Sequence, residues 1–184
     1  MPRSLWPGRT AACGVAAGLL LAACGGPAVN NGPLGGPAVN NGPLGGAGSA
    51  GGFCAPVPPG GSLAAGETFT NGGHQAALIT GVTLWRARHL RLLSAWAVPV
   101  GNQGSVGAVA WPPPLSVVPN WGARVPAIGA RIPPGAYWQI VLRLAPTGSR
   151  TGSAAAVTVS YEEAGTKFVM RQAYSPTVTS DRCS

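Results

Sequence analysis

Acidic side chains are scarce in this chain: four Asp and Glu stand against twelve Lys and Arg in 184 residues, and charged residues of both signs make up only 9%. Acid–base chemistry needs converging carboxylates, or a histidine with an orienting partner. The whole stock is one aspartate, Asp181, three glutamates, and the histidines His74 and His89. Glu162 and Glu163 are adjacent, so in an extended chain they point to opposite sides and make a poor catalytic pair. The HExxH, Walker and dinucleotide patterns are missing. Gln103-Gly104-Ser105-Val106-Gly107 lacks the first glycine of a nucleophile elbow. These gaps argue against an enzyme and against a resident cofactor. His74 and His89 lack an acidic neighbour, so a metal site built from them with Cys54 or a methionine is not expected either.

Long apolar runs are also missing. The longest, Thr10 to Ala23, centres on Leu19, Leu20 and Leu21 and is shorter than the roughly 20 residues that cross a bilayer core. It follows Arg3 and Arg9 without an intervening acid, which is the make-up of an export signal. The run ends in Leu21-Ala22-Ala23-Cys24. This tetrapeptide resembles the lipobox of bacterial lipoproteins. The resemblance implies that residues 1–23 are removed as a signal peptide and that Cys24 becomes the acylated first residue (palmitate among its acyl chains). It also implies a membrane anchor facing outward from the cytoplasm. A single acyl chain holds only reversibly, whereas a diacylated cysteine holds firmly. Glycine rather than aspartate at position 25 resembles lipoproteins that are not retained at an inner membrane. The expected location is therefore the cell membrane or the outer membrane.

Cysteine is used four times. Cys13 leaves with the leader and Cys24 is taken by lipid. The remaining pair, Cys54 and Cys183, is expected to form a disulfide in an exported chain. Such a bridge ties the start of the folded region to its end. A closed loop longer than 100 residues corresponds to about 4.7 kcal/mol in the chain-entropy account.

After Cys24 the composition shifts to glycine, proline and asparagine. The decapeptide Gly25 to Leu34 is repeated letter for letter as Gly35 to Leu44, and a Gly/Ala/Ser run leads to Phe53. The tract has no charge and little to bury, so it reads as a flexible linker over residues 24–53 with transient turns at Asn31-Gly32 and Asn41-Gly42. Two copies are too few for a solenoid. The root-mean-square reach of such a glycine-rich tether is about 30 Å.

Cys54 to Ser184 is one domain's worth of chain. Helical periodicity is missing except for a weak candidate at Arg86 to Ala95. What is present alternates with a period of two. Trp138, Ile140, Leu142 and Leu144 share one face of Tyr137 to Ala145, and Val157, Val159 and Tyr161 share one face of the next strand. Further strands are expected at Ser62 to Asn71, Gln75 to Trp85, Leu90 to Val100, Val106 to Trp111, Lys167 to Tyr174 and Thr177 to Ser180. A hairpin loop is expected over Glu162 to Thr166. Short strands at this spacing argue for a two-sheet sandwich. Phe69-Thr70-Asn71-Gly72-Gly73, Ile79 to Leu84, and Ile132-Pro133-Pro134-Gly135 before an alternating strand resemble immunoglobulin-like sandwich domains of bacterial envelope proteins. There is no cysteine pair bridging mid-strands and no tyrosine-x-cysteine corner. The expected fold class is thus an all-β, immunoglobulin-like antiparallel β-sandwich over residues 54–184.

Once Arg3 and Arg9 are removed, ten basic residues face four acidic ones, a net charge of +6, and Lys167 is the single lysine. The arginines are scattered and the chain is exported, so nucleic acid is not an expected partner. Arg86, Arg88 and Arg91 form one local cluster suited to anionic head groups or acidic wall polymers. Trp111 and Trp121 bracket Pro112-Pro113-Pro114, and Tyr137 lies on the outer face of its strand. Aromatics on a stiff loop suit a sugar or protein partner, although packing over an open end of the sandwich would occupy them equally. The reading that follows is a membrane-anchored binding or structural module of the cell envelope. Its partner would be an envelope protein or polysaccharide. The alternatives are a small-ligand or metal carrier and an envelope-polymer hydrolase.

Overall fold

The computed structural model describes residues 39–46, 51–100 and 107–183. The leader, Cys24 and the first decapeptide copy lie outside these residues. The chain forms β1 (Val39–Asn40), β2 (Leu44–Gly46), β3 (Gly51–Pro56), β4 (Leu63–Asn71), β5 (Ala77–Trp85), β6 (Leu90–Pro99) and β7 (Ala108–Ala110). A 3-10 turn at Pro119–Ala123 follows. Then come β8 (Val125–Pro126), β9 (Arg131–Ile132), β10 (Tyr137–Pro146), β11 (Gly152–Ser153), β12 (Ala156–Glu163), β13 (Thr166–Gln172) and β14 (Tyr174–Thr179).

Two antiparallel sheets face each other. One carries β4–β10–β6 at its centre and the other β13–β12–β5. Taken in chain order, β4, β5, β6, β10, β12 and β13 correspond to the B, C, D, E, F and G strands of the immunoglobulin fold. B pairs E and E pairs D in one sheet, while C pairs F and F pairs G in the other. The fold is therefore an all-β, immunoglobulin-like sandwich. A third, smaller sheet runs β11–β14–β3, and its β3–β14 pair is parallel. The Cys54–Cys183 disulfide closes this sheet across a sequence separation of 129.

The strand alternation explains the core. Ile140, Leu142 and Leu144 of β10 pack against Val157, Val159 and Tyr161 of β12, with Trp138 at the margin. Two bulges adjust the register. One, opposite Ser160 and Tyr161, lets β5 switch its inward positions from Ala77 and Ile79 to Val82 and Leu84. The other falls opposite Arg143 and Leu144 and skips Leu93 of β6, leaving that leucine exposed. The turns match their chemistry. The β12–β13 hairpin turns on Ala164 and Gly165, both at positive φ, so Glu162 and Glu163 belong to the strand rather than the loop. The fully buried Asn71 donates to the carbonyls of Gln75 and Ile132 and accepts from the Gly73 amide, pinning the turn after β4.

The linker expected over residues 24–53 is corrected in its second half. Residues 39–40, 44–46 and 51–53 belong to strands β1, β2 and β3. β1 pairs β13 and β2 pairs β4, so the second decapeptide copy bridges the edges of both main sheets. Local composition underestimated this segment. Leu44 is wholly buried in the core, and its amide donates to the buried Tyr161 hydroxyl. One well-seated side chain and two paired edges offset the ordering cost of a glycine-rich stretch. Asn41-Gly42, expected as a transient turn, is a fixed bend between β1 and β2. Arg86 to Arg88 lie in the tight connection before β6, with Arg86 and His89 both at positive φ. The helical candidate Arg86 to Ala95 is instead that turn followed by β6.

Candidate functional site

Two arginine–aromatic groupings stand out. The first lies on the outer face of the β4–β10–β6 sheet. Ala64, Val98 and Val141 make that face apolar, and the segment from Trp111 to Arg124 folds over it. The Trp111 and Trp121 rings meet edge to face at 5.4 Å, and Trp96 meets Trp121 at 6.2 Å. Arg124 lies over Trp96 and Trp121, and Arg143 over Trp111. Trp121 is only 9% exposed. The two loop tryptophans expected as binding aromatics are thus packed against each other, and they cover a sheet face rather than an open end. Trp96 packs in the same cluster rather than between the sheets. Tyr137 does not join it. Tyr137 stands six residues from Arg143 along β10, about 20 Å at strand rise.

The second grouping is at one end of the sandwich, where the β5–β6 turn abuts the loop after β10. Arg88 exchanges backbone hydrogen bonds with Ser153, and the Thr147 amide donates to the His89 carbonyl. The Trp85 ring carries the Arg86 guanidinium at 4.2 Å and the Arg171 guanidinium at 4.4 Å. Arg171 also donates to Thr158 from the neighbouring strand. Arg88 and Arg91 are exposed, and Arg150 reaches within 3.5 Å of the His89 ring. Arg86 and Arg88 lie in this turn and Arg91 is the second residue of β6, while Arg150 and Arg171 come to the same end from elsewhere in the chain. Those two lie far along the chain, and only the β11, β12 and β13 pairings bring them here. Glu162 sits at the opposite end of β12, with Glu163 after it, whereas Asp181 follows the Thr179 hydroxyl that Thr151 contacts beside Arg150.

A third feature escaped the sequence reading. Glu67 points into the core between the sheets, and its Oε1 has no hydrogen-bond partner; neither has the buried Tyr174 hydroxyl. Burial pushes the Glu67 carboxyl up to about 8. Burial, with Glu67 adding to it, pushes the Tyr174 phenol up as well. The signal was available: Leu63, Ala65, Glu67, Phe69 and Asn71 share one face of β4 by simple alternation. A neutral acid sealed in the core is a structural element rather than a site open to substrate. Glu163, nine-tenths buried, accepts from the Gln75 amide and holds the turn after β4. His74 and His89 are both exposed. Among the described residues no group of three or more His, Cys, Asp or Glu is placed to hold a metal ion, and no helix is long and apolar enough to cross a membrane.

No protein-family model and no curated protein sequence matches the chain. Among solved structures, the ASH/PapD-like domain 7 of human CEP192 aligns with a TM-score of 0.37 and 12% identity, over 72% of this chain and 82% of that chain.

Proposed function

We propose that this protein is a bacterial envelope lipoprotein, acylated at Cys24 and facing outward from its membrane. Its sandwich head is a binding module for an acidic envelope polysaccharide. The observation that carries the reading is the Trp85 ring with two guanidiniums over it, Arg86 and Arg171, at an end that also exposes Arg88, Arg91 and Arg150. Guanidiniums held over an indole are pre-positioned for the planar carboxylates of a uronic-acid polymer. Their spread over two connections and two strands suits a repeating chain of charges better than a single small anion. The lipobox resemblance and the glycine-rich tract before residue 39 support an anchored head with reach. The experiment has two arms. Intact mass of the native protein is expected to show loss of residues 1–23 and added acyl mass, abolished by Cys24→Ala. The chain is expected to bind polygalacturonate and not uncharged dextran. Equal binding to both polymers would sink the polysaccharide reading, and an unacylated, uncleaved chain would sink the anchor.

A further inference from the structure

The decapeptide copy seated in the fold is held by its own side chains and by contacts from both sheets. The Asn40 side chain donates to the Leu44 carbonyl and accepts from the Gly42 amide, closing the bend on itself. The Asn41 side chain accepts from the Val169 amide at 2.9 Å. Gly42 lies so close to the stacked Tyr161 and Phe168 rings that any Cβ would collide with them. The Pro43 carbonyl accepts from the Gly72 amide. Leu44 fills the core, and its amide donates to the Tyr161 hydroxyl at 3.0 Å. Gly46 lies against the amide end of the Gln172 side chain. The groove between β4 and β13 therefore selects Asn-Asn-Gly-Pro-Leu and rejects a side chain at Gly42.

The same letters occur once more. Residues 29–36 read Val-Asn-Asn-Gly-Pro-Leu-Gly-Gly, identical to residues 39–46 at every position the groove holds. Identity ends right after the groove, where Pro37-Ala38 stands against Ala47-Gly48. We propose that this groove is a sequence-specific site with two intramolecular occupants, and that residues 29–36 take it in a second register ten residues upstream. Every contact inside the groove is preserved by the exchange. The cost lies in the connection to β3, which lengthens from residues 47–50 to residues 37–50. The three-halves power law for loop closure makes that roughly a sixfold disadvantage. The minor register is thus a sizeable fraction of the molecules, and anything that weakens the second copy makes it the major one. Where Cys24 is the anchored residue, as proposed above, the exchange shortens the tether from residues 25–38 to residues 25–28 and draws the head toward the membrane. The register exchange itself does not depend on that anchor.

The test compares Leu44→Asp, Leu34→Asp and the double variant in the full chain. Deleting either copy yields the same polypeptide, so point variants are required. Hydrogen exchange resolved by mass spectrometry reports which copy is protected, and thermal melting reports the loss. Leu44→Asp is expected to move protection from residues 39–46 to residues 29–36 with a small drop in Tm. Leu34→Asp is expected to change neither, and the double variant to lose both protection and far more Tm than the two single drops combined. The proposal is overturned if Leu44→Asp alone melts like the double variant, or if residues 39–46 lose protection without residues 29–36 gaining it. Protection of 29–36 that appears only on raising concentration, together with a dimer, overturns the intramolecular register and assigns the occupant to a second molecule.

Discussion

The two arginine–tryptophan groupings use the same contact and reach opposite ends. Arg124 and Arg143 lie on Trp121, Trp96 and Trp111 much as Arg86 and Arg171 lie on Trp85. On the outer face of β4–β10–β6 the indoles have small apolar residues beneath them, Ala64, Val98 and Val141, so Trp121 is buried, Trp96 and Trp111 are partly buried against it, and the guanidiniums lie over the rings. At the β5–β6 end Trp85 is half-exposed and its neighbours are further arginines. A cation over an indole is thus no marker of function. The ground under the ring decides whether the pair glues a loop down or presents charge to solvent.

That contrast breaks most readily by truncation. Trp121→Ala is expected to cost about 3–5 kcal/mol in urea unfolding, because it empties a buried site shared by three rings. Trp85→Ala is expected to cost about 1 kcal/mol or less while abolishing preference for the anionic polymer. Equal losses of stability would erase the distinction.

A pH scan sharpens the comparison from the other side of the same sheet. Glu67 keeps its proton in the folded state up to about pH 8, whereas the unfolded carboxyl releases it near 4.5. Between those values the folded state binds more protons than the unfolded one. Stability therefore falls as pH rises through the window, by up to roughly 1.4 kcal/mol per unit, and levels off above it. Glu67→Gln is expected to flatten this slope and to raise Tm at pH 8 more than at pH 5. An unchanged slope would mean that Glu67 is not the group responsible. The basic end is expected to answer to salt instead. Arg171→Gln should weaken polygalacturonate binding about two- to fivefold at low ionic strength, with the difference closing as salt rises.

The strands were legible because their alternation is strong. Ile140, Leu142 and Leu144 of β10, with Val157, Val159 and Tyr161 of β12, meet in the core as their spacing implies. The Asn71-Gly72 turn and the Pro134-Gly135 corner fall at strand boundaries for conformational reasons that local chemistry carries. The candidate site was legible only in part. Arg86, Arg88 and Arg91 are neighbours in the chain, whereas Arg150 and Arg171 arrive through pairings between distant strands. Packing of the tryptophan loop onto the sandwich was one of the two readings open, but its sequence does not say that Ala64, Val98 and Val141 would form the apolar face it covers.

By itself the sequence determined an all-β sandwich and the single disulfide left to Cys54 and Cys183, since side-chain period and cysteine number are local quantities. Tertiary structure alone decided that a charge-free, glycine-rich decapeptide becomes part of the sheets, that Glu67 is sealed away as a neutral acid, and that Trp121 is hidden under its neighbours while Trp85 holds its arginines in the open. These outcomes depend on what lies opposite each residue in space, and the energies of burial and pairing are set there rather than along the chain.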